Sequence, residues 1–174
     1  MQPEELGRSY DEIAERWLEP HLESNGISQH ELALRFAAHA GGRALDVGCG
    51  CHGRFLRLLE LRGYAVEGLD VSARMIALAR ERLPHLTFHH ADVCLWEPEG
   101  LYDFISAWDC LWHLPLARNA EVLTKLCHAL APGGVFIFTF GGLDAPEERV
   151  DASMGVPVNY STLGVSQTLQ KIGR

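Results

Sequence analysis

Positive charge is scarce in this chain. Fifteen Lys and Arg stand against 23 Asp and Glu, a formal net charge of −8. A domain this acidic has no general attraction for nucleic acid or an anionic membrane. Long hydrophobic runs are missing as well. The apolar stretches are of strand length, which excludes a membrane-spanning helix. No apolar run stands behind the acidic start Met1-Gln2-Pro3-Glu4-Glu5, so a secretory signal is not expected. Paired cysteine motifs are also lacking. The five cysteines, at 49, 51, 94, 110 and 127, are odd in number and lie mostly in apolar segments. That argues against a disulfide framework and points to a reducing cytoplasm. Cys49 and Cys51 form C-x-C with no second pair at zinc spacing, so they read as small residues of a tight loop, and no metal site is expected. The nine histidines are scattered, and His89-His90 reads as surface. There are no internal repeats and no low-complexity tracts.

What is present is the composition of one folded domain. The 174 residues are 47% hydrophobic and 22% charged, enough to bury a core. Leu6, Tyr10, Ile13, Ala14 and Trp17 fall at helical spacing, with Pro20 closing the segment. A second helix is predicted over roughly 28–40, with Leu32, Phe36, Ala37 and Ala40 on one face. Ser28 and Glu31 are placed as a capping box, and Gly41-Gly42 ends the helix. Strand-length runs follow at 44–47, 64–69, 86–90, 102–108 and 135–140. Helical patterns separate them: 55–61, a segment capped by Ser72 with Met75, Ile76, Ala79 and Leu83 inside, and a segment after Pro115 with Leu116, Leu123, Leu126 and Leu130. Strand five is apolar throughout, as for a strand covered on both faces. Residues 141–158 read as loop and 161–172 as a further helix. Strands alternating with helices predict an α/β fold with a doubly wound, mostly parallel sheet of five strands in order 3-2-1-4-5, plus two N-terminal helices. Ligands bind such sheets outside the carboxyl ends of the strands. That edge collects Asp46 to Gly53, Asp70, Asp92, and Trp108 to His113.

Gly48-x-Gly50-x-x-Gly53 matches G-x-G-x-x-G, and Asp70 follows at a distance that suits the ribose acid of a dinucleotide site. An NAD-dependent oxidoreductase is therefore one reading. Two acids oppose it. Asp46, two residues before the first glycine, has the wrong sign for a pyrophosphate, and Asp92 adds a third carboxylate at the same edge.

"ALDVGCG", "VEGLDVS", "HHADV", "YDFISAWDCLWHLP" and "LAPGGVFIFTF" occur in this order. From Tyr10 to Leu143 the chain thus resembles the class I S-adenosylmethionine (SAM) methyltransferases. The resemblance implies a Rossmann-like fold, with SAM as cofactor and S-adenosylhomocysteine as product. It places Gly48, Cys49 and Gly50 against the ligand, and Asp46 near its amino-acid end. Asp70 falls on the ribose hydroxyls, Asp92 and Val93 on the adenine edge, and Val71 and Met75 on the adenine face. Trp108 is implied as a wall or a cation–π partner of the sulfonium, as is Trp112. Residues 1–42 resemble the helical lid of small-molecule members, with Tyr10 and Trp17 over the cofactor, and 43–174 the SAM-binding domain. Asp109 and His113 are the candidate catalytic groups, His113 the better base on its ordinary pKa.

There are two departures from the family pattern. His52 is inserted in the glycine loop and is expected at solvent. The helix over 161–172 is the last element in view, without the two strands that usually follow. Strand five is then expected at an open apolar edge, where a second copy of the chain is the expected partner. The motifs of amino-methylating nucleic-acid enzymes and of cytosine-C5 enzymes are absent after strand four: Ser106-Ala107-Trp108-Asp109 has no proline, and Asp109-Cys110 is not the nucleophile dipeptide. The acceptor is therefore expected to be a small molecule. A module that holds SAM without turnover is the alternative.

Overall fold

The computed structural model describes residues 1–173. Helix α1 spans Pro3–Ile13. Pro3 opens its first turn, and the Gln2 N–H donates to Glu5 Oε2 at 2.8 Å. Beyond Ile13 the chain tightens into a 3₁₀ turn over Ala14–Leu18, and Pro20 starts a second over Pro20–Ser24 instead of only ending the first segment. Helix α2 is Ile27–Ala33, continued by a 3₁₀ turn to Phe36, shorter than the pattern predicts.

The Ser28–Glu31 capping box does not form. The chain enters α2 through Gly26 in the left-handed region, the Ser28 hydroxyl donates to Gln29, and Glu31 pairs with Arg62. The predicted apolar face is also turned outward: Leu32 is 54% and Phe36 74% exposed. His30 is the buried residue. It stacks on Phe55 with ring centroids 3.7 Å apart, and that contact sets the rotation of the helix.

The remaining elements follow the predicted alternation. They are β1 Gly42–Val47, α3 Arg54–Leu61, β2 Tyr64–Asp70, α4 Ala73–Arg82, β3 Thr87–His90, β4 Tyr102–Ala107, α5 Leu116–His128 and β5 Leu130–Phe138. All adjacent pairs are parallel, in order β3-β2-β1-β4-β5. The Ser72 hydroxyl caps α4 by accepting from Met75 N at 3.1 Å. Leu45, Val47, Ile105 and Ala107 pack under α5 with Val122 and Leu126. Ala44, Val66 and Phe104 face the other way, onto Leu56, Leu59, Ile76 and Ala79 of α3 and α4. The period-2 alternation of the strands thus separates two apolar layers.

Strand β5 differs from expectation in two ways. It includes the Pro132-Gly133-Gly134 segment, and its residues 135–138 are only half-buried. It is the last strand of the sheet, and among the described residues no further strand pairs with its outer side. Residues 141–158, read as loop, contain strand β6, Glu147–Asp151. It pairs antiparallel with β7, Val158–Thr162, as a separate hairpin. Helix α6, Val165–Ile172, starts only after that strand. Val156 and Val158 of the hairpin region pack on Leu6 and Ile13 of α1. Together they roof the carboxyl edge of the sheet.

Candidate functional site

A cleft of about 1040 Å³, mouth included, opens at that edge. It is walled by the β1–α3 loop, the ends of β2, β3 and β4, and α1. Of the residues assigned to cofactor or chemistry in the sequence, Tyr10, Trp17, Gly48, Cys49, Gly50, Asp70, Val71, Met75, Asp92, Val93, Trp108, Asp109 and His113 line it, whereas Asp46 and Trp112 do not. Asp46 itself lies at the end of β1, 2% exposed.

The glycine loop is built for close approach. Gly48 has φ 66°, and a Cβ there would meet Cys110 Cβ at 2.4 Å. At Gly50 nothing stands within 4 Å of where a Cβ would point, so its open side is available to a ligand. The delayed third glycine, Gly53, starts α3 in the left-handed region. His52, expected at solvent, is buried at 3% exposure on the cleft wall. Its Nε2 is 3.7 Å from Glu23 Oε1, and Arg57 donates to its carbonyl at 3.1 Å. Burial and the Arg57 charge lower its pKa.

Asp70 is held at both oxygens. Oδ2 accepts from Gly50 N and Oδ1 from Ser72 N, each at 2.9 Å. Each oxygen keeps a lone pair for a ligand hydroxyl. Burial raises its pKa, and the two backbone donors oppose that rise. Asp92 accepts from Cys94 N at 2.8 Å through Oδ1. Asp46 Oδ2 is buried and has no hydrogen-bond partner. Desolvation pushes its carboxyl up to about 7, with the Ser106 hydroxyl and then Arg54 opposing and Asp70 adding to the rise. The Trp17 and Trp108 indole N–H groups are likewise buried without acceptors.

Three features escaped the sequence reading. Among the described residues, Arg54 is the only Lys or Arg on the cleft wall. Its Nε donates to Asn25 O at 2.9 Å, and its guanidinium lies 4.3 Å over the Phe55 ring. Its position just after the glycine loop was the only signal. His30 was one of nine scattered histidines. The β6–β7 hairpin brings Asn159 and Tyr160 against His113, as β7 packs on the turn that holds it.

His113 is 7% exposed and fully engaged. Its Nδ1–H donates to the Asn159 carbonyl at 2.7 Å, because a carbonyl can only accept. Nε2 then accepts from both Tyr10 O–H at 2.8 Å and Trp112 Nε1–H at 3.0 Å. Burial lowers its pKa to about 4, so it is neutral at pH 7 with no lone pair free for an acceptor's proton. Trp112, bonded here, turns its indole toward a neighbouring groove under the hairpin. Asp109 has φ 54°, rare for a non-glycine residue. Its N–H donates to Thr139 Oγ1 at 2.8 Å, and Asn25 Nδ2 reaches its Oδ2 at 3.4 Å.

A family model described as a methyltransferase domain matches residues 23–164. The chain is 36% identical over 129 residues to the trans-aconitate 2-methyltransferase of Paracidovorax citrulli, covering 71% of this chain and 46% of that protein. The chain spans about half the length of the curated relatives it matches. Among solved structures, an S-adenosylmethionine-dependent methyltransferase from Mesorhizobium loti is 26% identical, with TM-score 0.65, covering 86% of this chain and 81% of that one. The SAM-bound amino pentose methyltransferase CalS10 of Micromonospora echinaspora is 27% identical, with TM-score 0.57, covering 71% of this chain and 56% of that one. The family model spans most of the sheet and its cleft edge, and the strand order is 3-2-1-4-5. The chain belongs to the methyltransferase domain family, with the class I, SAM-dependent fold.

Proposed function

We propose that the chain binds SAM in this cleft and serves methyl transfer to a small-molecule acceptor. The observation that carries the reading is the pairing of the orphaned Asp46 oxygen with the doubly anchored Asp70 across an open glycine loop. These groups suit a ligand with an ammonium at one end and a vicinal diol in the middle. Arg54 lines the cleft, Asp46 is buried at the end of β1, and the two feel each other's charge. Together they match the zwitterionic amino-acid end. Asp70 takes the ribose hydroxyls, in charge-assisted hydrogen bonds of about 1.5–3 kcal/mol each. Asp92 and Val93 take the adenine edge, Val71 and Met75 its face, and Gly48, Cys49 and Gly50 pass beneath the ligand.

SAM, when bound, supplies an electrophilic methyl on a sulfonium. The chain's part is to bind, orient and exclude water. Residues 1–42 act as the lid, with Tyr10 and Trp17 over the cleft, and Trp108 walls its floor. Asp109, held in its strained conformation by Thr139, is the group placed to orient the acceptor. His113, occupied by Tyr10 and Trp112, serves as the joint that keeps the lid down. The relatives named for trans-aconitate, together with the family's small-molecule structures, support an acceptor of small size. Five free cysteines agree with a reducing compartment, and no helix among the described residues is long and apolar enough to cross a membrane.

The test is calorimetric titration with S-adenosylhomocysteine, with NADH as control. Micromolar binding of the first alone is expected. Binding of NADH instead revives the oxidoreductase reading. SAM binding without transfer to any compound of a broad acceptor panel identifies a non-catalytic SAM module.

A further inference from the structure

Helix α1 is bonded to the turn that carries Asp70, outside the cleft. The bond is made by Asp11, one turn beyond Gly7 on the same face of the helix. Asp11 does not line the cleft. Its Oδ1 accepts from the Ser72 hydroxyl at 2.6 Å and from the Arg74 N–H at 2.9 Å. A helix start leaves backbone donors to be satisfied. Ser72 satisfies one of them locally, by accepting from Met75 N. For a second, the acceptor comes from α1, 63 positions away. A carboxylate only accepts, so the one proton of the Ser72 hydroxyl goes to Asp11. Ser72 is fully buried, and its own N–H donates to Asp70 Oδ1 at 2.9 Å. Asp70 Oδ2 takes the Gly50 N–H at the same distance. Asp11, Ser72, Asp70 and Gly50 thus form one hydrogen-bonded chain from α1 to the glycine loop. Gly7 presses on the same turn. A Cβ there would lie 2.7 Å from the carbonyl oxygen of Val71, the residue between Asp70 and Ser72.

We propose that Asp11 is a positioning residue for Asp70: it fixes Ser72, Ser72 fixes the Asp70 carboxylate, and docking of α1 and capture of the cofactor's ribose become one coupled equilibrium. The proposal rests on the SAM-site reading above. Without Asp11, the buried Ser72 hydroxyl and the Arg74 N–H both lose their acceptor. A buried donor left unpaired is costly, so the turn shifts to satisfy it, and Asp70 Oδ1 loses the fixed N–H that aims it. In the other direction, a diol held by both oxygens of Asp70 keeps the turn where α1 docks. The coupling is reciprocal: what docking adds to ribose affinity, ribose binding adds to docking. General attraction between the helices is a separate matter. Glu15, one turn beyond Asp11, pairs with Arg74 at 2.6 Å, but this exposed pair bonds to neither Ser72 nor Asp70 and contributes little.

The experiment is calorimetry on the full chain with S-adenosylhomocysteine and with its 2′,3′-dideoxy analogue, which lacks only the hydroxyls assigned to Asp70. In the wild type, loss of the diol should weaken binding about tenfold or more. Asp11→Ala should shrink that factor by about fivefold, by weakening S-adenosylhomocysteine and leaving the analogue nearly unchanged. Asp11→Asn keeps an acceptor oxygen for Ser72 and Arg74 and should restore the factor. Glu15→Ala should leave it at the wild-type value. Amide exchange in residues 3–13 of the wild type should slow more with S-adenosylhomocysteine than with the analogue at equal saturation. A residue that merely holds α1 in place demands equal losses for the two ligands in Asp11→Ala. That result, or no rescue by asparagine, overturns the proposal. If Asp11→Ala does not fold, the wild-type exchange decides, and equal slowing by the two ligands overturns it. An analogue that binds wild type as tightly as S-adenosylhomocysteine overturns the ribose assignment of Asp70 and the proposal with it. No binding of S-adenosylhomocysteine to the wild type overturns the SAM-site reading itself.

Discussion

Asp70 joins the glycine loop to the start of α4 by accepting from Gly50 and Ser72. Its loss acts on binding and on local order alike. Asp70→Ala should weaken S-adenosylhomocysteine binding by about 1.5–3 kcal/mol, read by calorimetry. Unchanged affinity would place the ligand elsewhere. His113 is the second informative residue. Its pKa in the folded chain is lowered from 6.5 to about 4, chiefly by burial. Between those values the unfolded chain binds more protons, so the stabilisation present above pH 6.5 is lost as pH falls toward 4. His113→Gln lacks this term. The stability gap between wild type and variant in urea unfolding should therefore narrow by about 2 kcal/mol between neutral pH and about pH 4.5. A pH-independent gap would mean that His113 is already solvated, and that the contact to Tyr10 is not a lasting joint.

Helix α1 and the β6–β7 hairpin are the elements that convert an open sheet edge into an enclosed cleft. They meet through Leu6, Ile13, Val156 and Val158, and Arg16 donates to the Met154 carbonyl at 2.7 Å. Helix α1 is seated by Gly7, where a Cβ would lie 2.7 Å from the Val71 carbonyl oxygen. Gly7→Ala must therefore lift the helix off Val71, at a cost of about 1–3 kcal/mol. The expected result is weaker S-adenosylhomocysteine binding and faster amide exchange in residues 3–13, with the sheet unaffected. Ordinary binding by this variant would show that α1 is not needed as a lid. The helix itself is legible in the sequence from its apolar spacing and Pro3. The hairpin is not. Four of the five residues of Glu147–Asp151 are charged and most are exposed, so no alternating apolar pattern marks the strand. Its order comes from pairing with β7, whose buried Val158, Asn159, Ser161 and Thr162 bond and pack to distant residues.

For the molecule as a whole, the sheet has two ends with different protection. Strand β3 is short, with His89 bonded to Glu67 of β2. Strand β5 is nine residues long, half-buried, and unpaired on its outer side among the described residues. A long apolar edge of this kind recruits another strand. We propose a second copy of the chain as that strand. Sedimentation should give a dimer, whereas a monomer at micromolar concentration refutes the pairing. The sheet order, the parallel pairing and the two-sided core were all legible, because each strand is a short apolar run and each helix an amphipathic one. The second helix was misread at its buried face: Leu32 and Phe36 follow the period, but a polar ring with two partners took the inside.

By itself, then, the amino-acid sequence determined the β–α alternation, the strand order, the glycine loop and the three acids at the strand ends. Those depend on local period and on residues placed just after strands, which the chain brings to one edge of a parallel sheet whatever else it does. Only the tertiary structure decided which way His30 points, that His52 is buried, that His113 has no free lone pair, and that Asp46 Oδ2 is buried without a hydrogen-bond partner. Each of these follows from partners 46 to 103 positions away in the chain or from exclusion of water. Neither hydrogen-bond direction nor burial is written in the spacing of a sequence.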